Sequence, residues 1–244
     1  MPTKIQTHLR SIADPAVAKI AQSFFKTGPG QYGEGDIFLG IKVPTLRALI
    51  KSYRGTPLKM IDALIKSKFH EERLFALLLL IDFYQRGDEH AQQQAYELYL
   101  AHTAHINNWD LVDVSAPHIV GNFLADKPRD TLYHLLKSNS LWERRIAIIA
   151  TFHFIRQNDF NDTLKIAEHL LSDQHDLMHK AVGWMLREVG KRDQAALERF
   201  LRHHCPVMPR TALRYAIERL PEPLRLNYLR PCKEIGIGST TLNV

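Results

Sequence analysis

The chain has 244 residues, 45% of them hydrophobic, which is enough for a sizeable core in one large or two small domains. Lys and Arg number 32 against 26 Asp and Glu, and the net charge of +6 fits an anionic partner such as nucleic acid as well as it fits ordinary solubility. The N-terminus has no signal-peptide pattern, and no run approaches a membrane span. We therefore expect a cytoplasmic protein without a membrane partner.

Two cysteines, Cys205 and Cys232, share no CxxC or metal-ligand spacing. We predict that they are free thiols of a reducing compartment. The histidines are scattered, and the only tight cluster, His203-His204-Cys205, places adjacent side chains in different directions on a helix. We predict neither a metal nor a cofactor.

The first forty residues predict one helix followed by one loop. Asp14 suits an N-cap and Pro15 the first helical position, and apolar residues follow at helical spacing until Gly28. Residues 31–36 are too rich in glycine for a helix and lack the lysine of a phosphate-binding P-loop. We predict a shaped surface loop there rather than a nucleotide site.

An apolar segment, residues 38–41, precedes a helix that Pro44 opens. Lys42 and Arg47 flank this helix start, where free backbone N–H groups and the helix dipole favour a phosphate.

From residue 44 to about residue 231, apolar runs lack the alternation of strands and are separated by polar breaks. Short cationic segments precede several of these runs at a loose period: Ala147, Ala181 and Ala212 lie 34 and 31 residues apart. Such periods are typical of an all-α solenoid of HEAT-like or armadillo-like repeats. We predict a single repeat domain over residues 1–244, with repeats at about 44–231 and a flexible tail at 233–244.

Equivalent helices of a solenoid line one concave wall, so cationic residues at equivalent positions predict a basic groove that follows a phosphate backbone. The candidates are Arg73, Arg144, Arg145, Lys180, Arg187, Arg210 and Arg214. The alternative is that many of them pair with the nearby acidic residues Glu72, Glu143, Glu188 and Glu218.

Trp109 and Asp113 are one helical turn apart on the same face. A carboxylate flanked by apolar residues needs a partner, and the repeat register offers Arg145. Two interpretations stay open: a structural Asp–Arg bridge with core tryptophans, or a charged pair at the floor of a groove.

Three segments carry a resemblance to a known family: residues 109–113 (WDLVD), 141–145 (LWERR) and 180–188 (KAVGWMLRE). With the FLGIKVP segment at 38–44, they resemble the AlkD-like DNA alkylation repair family, the HEAT-like-repeat alkylpurine DNA glycosylases. The resemblance places catalytic residues at Asp113 and Arg145, groove tryptophans at Trp109 and Trp184, and DNA-backbone contacts near Lys42, Arg47 and Arg187. The acidic, glycine-rich residues 32–36 depart from a DNA-facing loop.

The resemblance implies a monomeric enzyme that hydrolyses the N-glycosidic bond of N3- or N7-alkylated purines in duplex DNA. The cationic positions Lys42, Arg47, Arg144, Lys180, Arg187, Arg210 and Arg214 are then the expected DNA-binding residues. Two alternatives stay open: a non-catalytic solenoid that binds damaged or branched DNA, and a protein-interaction scaffold.

Overall fold

A computed structural model describes residues 3–230, and over these residues the chain is helical, with one isolated bridge between Ile37 and Phe69 and no strand. This confirms the predicted all-α class. The helices are α1 (Lys4–Ser11), α2 (Pro15–Phe24), α3 (Val43–Leu49), α4 (Leu58–Ile65), α5 (His70–Arg86), α6 (Glu89–Ala101), α7 (Trp109–Ser115), α8 (Asp130–Leu136), α9 (Leu141–Ala150), α10 (Phe152–Ile155), α11 (Asn161–Leu170), α12 (Asp176–Gly190), α13 (Gln194–His204), α14 (Arg210–Ala216) and α15 (Glu222–Leu229).

The chain divides into two compact units, unit 1 (Met1–Lys127) and unit 2 (Pro128–Val244). We expected a single domain over residues 1–244, and this stays a prediction, since the division into two compact units does not test it. The expected tail at 233–244 lies outside the described residues.

Unit 1 is built around α5. This helix buries residues on all sides, from His70 to Ile81 and again at Tyr84, and packs against α4, α6 and α7. A helix that is apolar all round belongs inside a protein, which explains why its sequence shows no polar stripe. The apolar segment Phe38–Ile41 is buried beside it.

Unit 2 is built around α12, which packs against α9, α11, α13 and α14. At Gly183 an added Cβ would lie 2.5 Å from the carbonyl oxygen of Ala212. Glycine therefore lets α12 approach α14 more closely than any other residue would.

A common turn precedes three of the long helices and supports the predicted repeat. The side chains of Ser67, Ser138 and Asp173 each accept a hydrogen bond from the backbone N–H two residues on, at 3.1, 3.0 and 2.9 Å. Helices α5, α9 and α12 then begin at residues 70, 141 and 176. Because such turns compete with helix continuation, they end one helix and start the next at a fixed register.

The sequence predicted one helix in the first forty residues, whereas the structure has two, because α1 precedes α2. Helix α2 begins as predicted, with Asp14 accepting hydrogen bonds from the N–H groups of Ala16 and Val17. Its apolar residues are not core, however: α2 has no buried residue, and Ile20 and Phe24 are 69% and 64% exposed. The helical spacing correctly predicted the element, but burial depended on neighbours that the local pattern does not specify.

The free-thiol prediction is wrong for Cys205, which is buried and disulfide-bonded in the structure. Cys232 lies outside the described residues. Among the helices of residues 3–230, none combines the length and hydrophobicity needed to cross a membrane.

Candidate functional site

Helix α7 carries Trp109 and Asp113 on its first and second turns. Its N-cap is Asn108, which is fully buried and accepts a hydrogen bond from the backbone N–H of Trp109 at 2.9 Å. The same side chain donates to Asp36 at 3.2 Å. The cap therefore ties the first turn of α7 to the loop that precedes α3.

The indole of Trp109 is half-buried against two phenylalanines at the end of α2. Phe25 stacks on it with ring centroids 5.2 Å apart and planes 18° apart, and Phe24 meets it edge-on at 6.1 Å. These contacts fix the ring while leaving part of it open. Trp109 is thus neither a core residue nor a freely rotating surface residue.

Asp113 is half-buried and not sealed in the core. Beneath α7, the fully buried Tyr99 forms a hydrogen bond of 3.0 Å with Ser115. Burial and the nearby charge of Asp113 raise the pKa of Tyr99, so this hydroxyl stays protonated. The bond between Tyr99 and Ser115 therefore fixes α7 on its buried side, while Asp113 on the same helix stays accessible to solvent.

A buried histidine joins α7 to the rest of unit 1. His70, 1% exposed at the start of α5, lies between two carboxylates, with Nδ1 2.9 Å from Asp36 and Nε2 2.8 Å from Asp110. We call the set Asp36–His70–Asp110 the histidine bridge. Asp110 is the neighbour of Trp109 in the first turn of α7, so the bridge ends on the turn that carries the indole.

The electrostatics of the histidine bridge favour a charged imidazole. Burial opposes the charge on His70, but Asp110 and Asp36 more than offset it and raise the pKa of His70 to about 9. Burial also opposes the charge on Asp36 and raises the pKa of this carboxyl. The contacts of Asp36 with His70 and Arg73 outweigh burial and lower the pKa of Asp36 to about 2. At neutral pH the bridge is an imidazolium between two carboxylates.

One sequence expectation is corrected here. Arg73 does not line a groove: it is 4% exposed, ion-paired with Asp36 and bonded to Asn107 at 3.1 Å. The loop at 31–36 is exposed at Glu34 and Gly35 but ends in the buried Asp36. A buried carboxylate needs partners, and those of Asp36 are His70 and Arg73, which are distant from it in the chain. The one local signal was the charged run 70–73 opening an otherwise apolar helix.

In unit 2, Arg145 is 4% exposed on the first turns of α9. Its Nη1 donates to the carbonyl oxygen of Leu177 at 2.6 Å. Leu177 belongs to the first turn of α12, the helix that carries Trp184. Arg145 therefore links α9 to the start of α12.

Trp184 is half-buried on α12. Its Nε1–H donates to Glu188 at 3.1 Å, and its ring lies 5.9 Å from that of Phe152. Glu188 also pairs with Lys191 at 2.7 Å. The indole is thus oriented by its polar edge.

Of the four candidate catalytic residues, Trp109 and Asp113 belong to unit 1, and Arg145 and Trp184 belong to unit 2. It stays a prediction that these four residues form one site.

The predicted DNA-binding cations fall into two groups. Arg144 pairs with Asp173 and Lys180 with Asp176, both at 2.7 Å, and Arg187 pairs with Glu188 and Glu218. For Arg187 this is the pairing that the alternative interpretation named. The second group is exposed and has no ion pair with any residue in the range 3–230: Lys42, Arg47, Arg210 and Arg214.

A cleft of about 360 Å³ in unit 1 adds cations that sequence reasoning missed. Arg47 lines it together with Lys51 and Arg54, opposite Val114 and His118. Arg54 is paired with Asp82 at 3.1 Å. Val114 belongs to α7, so the cleft reaches the helix that carries Asp113, although Asp113 itself does not line it. Within the described residues, no group of acidic, histidine and cysteine side chains could hold a metal ion.

The paired helices, the repeated turns and the tryptophan–carboxylate helix together define a helical-repeat protein. A family model described as "DNA alkylation repair enzyme" matches residues 5–220, and the chain belongs to this family. A solved structure, a predicted DNA alkylation repair enzyme from Enterococcus faecalis, is similar, with a TM-score of 0.67 and 20% identity over 86% of this chain and 97% of that one. That likeness confirms the fold. No curated protein sequence matches the chain.

Proposed function

We propose that the protein is a monomeric DNA glycosylase that removes positively charged N3- or N7-alkylated purines from duplex DNA. Membership of the family supports the coarser part of this proposal, a role in the repair of alkylated DNA. The observation that carries this proposal is the half-buried pair on α7, where Trp109 and Asp113 lie one turn apart. The cytoplasmic location stays a prediction.

The chemistry suits the substrate. An alkylated purine carries a positive charge, so the electron pair of the C1′–N bond leaves with the base and neutralises it without a strong general acid. The sugar then develops oxocarbenium character, and water adds to C1′ and loses its proton to solvent or to a carboxylate. What the protein must supply is negative charge and polarisable surface next to that cation.

We assign these roles to the four residues that the resemblance names, of which Trp109, Asp113 and Trp184 are half-buried and Arg145 is 4% exposed. Asp113 stabilises the sugar cation and orients the water, while the faces of Trp109 and Trp184 pack against deoxyribose and favour adjacent positive charge. Arg145 is assigned the orientation of the neighbouring phosphate and carboxylate. The exposed cations Lys42 and Arg47 are assigned to the DNA backbone, where phosphate contacts fix position rather than sequence.

The proposal predicts that Asp113→Asn slows release of N7-methylguanine or N3-methyladenine from duplex DNA roughly 100-fold or more, because one electrostatic group of the transition state is lost. Duplex affinity stays close to that of the unmodified protein. Single-turnover base release and fluorescence anisotropy with labelled DNA measure the two quantities. The matched control is Asp126→Asn, which changes an exposed carboxylate outside the site.

If the unmodified protein releases neither base yet binds the duplex at low salt, the enzyme assignment is wrong and a non-catalytic DNA-binding role replaces it. If it also fails to bind DNA, the scaffold interpretation replaces both. Equal rates for Asp113→Asn and Asp126→Asn would remove Asp113 from the site.

A further inference from the structure

The histidine bridge lies outside the four residues assigned to the reaction, yet it ends on the helix that carries two of them. Both ring nitrogens of His70 face carboxylate oxygens, at 2.9 Å for Asp36 and 2.8 Å for Asp110. An ionised carboxylate only accepts hydrogen bonds, whereas a neutral imidazole has one donor and one acceptor nitrogen. Both contacts are hydrogen bonds only when the imidazole carries two protons.

Asp36 is held as a carboxylate by further donors. Arg73 binds one of its oxygens, and the amide of Asn108 donates to the other, the same oxygen that faces His70. A protonated Asp36 would lose part of this arrangement, so the proton resides on His70. The charge is thus specified by the geometry of five side chains and not by one contact.

A second connection between His70 and Trp109 runs through stacked rings. The imidazole stacks on Phe38 at 4.4 Å and lies 5.1 Å from Phe25, and Phe25 stacks in turn on Trp109. His70 therefore reaches the first turn of α7 by hydrogen bonding through Asp110 and reaches the indole by packing through Phe25. Displacement of the imidazole affects both supports of the same side chain.

We propose that His70 is a positioning residue: as a doubly protonated bridge between Asp36 and Asp110 it fixes the first turn of α7 and the orientation of the Trp109 indole. Its consequence for base release rests on the proposed glycosylase function. The charged groups that face His70 in the described part of unit 1 are Asp36 from the loop, Asp110 from α7 and Arg73 one turn along α5. The aromatic residues Phe25 and Phe38 cover its ring faces.

The first test follows Trp109 directly and needs no substrate. In protein whose other tryptophans are replaced, Trp142→Phe with Trp184→Phe, Trp109 is the only indole. We expect its emission and anisotropy to change with a midpoint near pH 9, where His70 loses its proton. His70→Gln in the same background shows the high-pH signal at every pH, because glutamine is uncharged and both of its N–H donors lie on one nitrogen, so it cannot replace the two separate ring nitrogens of an imidazolium.

The second test uses base release by the otherwise unmodified protein. His70→Gln lowers the single-turnover rate roughly 10- to 100-fold, the range expected when a catalytic group is misplaced by about an ångström, while duplex affinity stays unchanged. Asp110→Asn, a nearly isosteric change, removes one of the two charges that hold the proton. It therefore moves the midpoint of Trp109 emission, and the fall in rate at high pH, to lower pH.

The matched control is His102→Gln. His102 is also buried and pairs with a carboxylate, Asp62, at 2.6 Å, but it makes none of the contacts of the histidine bridge. A stability loss without a change at Trp109 is expected there. If Trp109 emission and the rate are the same in His70→Gln as in His102→Gln, the proposal is overturned.

Failure of the proposed function has a different signature. If the unmodified protein releases no base but Trp109 emission still follows the protonation of His70, the glycosylase assignment fails while the positioning of Trp109 is supported. If Asp110→Asn leaves the midpoint of the emission change where it was, the bridge is not what holds the proton and the proposal fails, whatever the activity.

Discussion

At the residue scale, the two candidate tryptophans are held in different ways. Trp109 is oriented through its ring face, by Phe25, whereas Trp184 is oriented through its polar edge, by the hydrogen bond to Glu188. An indole that is held at its edge keeps a face available for a sugar cation. The two residues therefore respond differently to the same kind of substitution.

Trp184→Phe removes the bond to Glu188 but keeps an aromatic face, and Trp184→Ala removes both. We expect the alanine variant to lose more base-release activity than the phenylalanine variant, by a factor consistent with the roughly 0.5–2 kcal/mol of a cation–π contact. Single-turnover rates measure this. Equal losses would show that the bond to Glu188, and not the ring face, is what matters. Trp142→Phe provides the comparison for a tryptophan outside the assigned site.

At the element scale, α7 is short and depends on what surrounds its first turn. Seven residues are too few for a helix to be stable by itself, so its position comes from the Asn108 cap, the histidine bridge and the Tyr99–Ser115 bond. These supports come from α5, α6 and the loop before α3. The positions of Trp109 and Asp113 thus depend on several elements of unit 1.

Asn108→Ala tests this dependence. We expect a loss in the free energy of unfolding above the ~1 kcal/mol of an ordinary cap, because a buried acceptor and the donor to Asp36 disappear together. Urea unfolding followed by circular dichroism measures it. The comparison is Asp193→Ala, since Asp193 caps α13 by accepting from the N–H of Ala196 at 2.9 Å and is not part of the bridge. A smaller loss for Asn108→Ala than for Asp193→Ala would contradict this interpretation of α7.

At the scale of the whole molecule, the net charge of +6 becomes informative only once the ion pairs are subtracted. Arg144, Lys180 and Arg187 are engaged with carboxylates, while Lys42, Arg47, Arg210 and Arg214 are exposed without such partners among residues 3–230. Cations without a carboxylate partner bind phosphate at the lowest cost. The exposed cations without a carboxylate partner are therefore a better guide to the DNA-binding surface than the paired ones.

The combined variant Lys42→Gln with Arg47→Gln should weaken duplex binding uniformly across sequences. We expect the slope of log affinity against log salt to become about two units less steep, because each phosphate that is no longer neutralised lowers the slope by close to one unit. Anisotropy titrations over a series of salt concentrations measure the slope. Lys137→Gln with Lys165→Gln, two exposed lysines outside the predicted set, should leave it unchanged. Equal slopes for the two pairs would remove Lys42 and Arg47 from the interface.

Much of the fold could be predicted from the sequence because its signals are local. Asp14 and Pro15 mark the start of α2, and the helices that follow Ser67, Ser138 and Asp173 recur at the expected period, since turn and cap chemistry involves neighbours in the chain. Burial was less predictable. Ile20 and Phe24 of α2 are exposed and the cationic Arg73 is buried, because the burial of a residue depends on distant partners.

The sequence by itself determined the helical class, the repeat and the pairing of Trp109 with Asp113, since residues one turn apart on a helix share a face whatever surrounds them. Only the tertiary structure showed the histidine bridge. Asp36, His70 and Asp110 are separated by more than thirty residues at each step, and His70 keeps its second proton because folding places a carboxylate beside each of its ring nitrogens. Local chemistry placed the candidate residues, and long-range contacts decided what holds them.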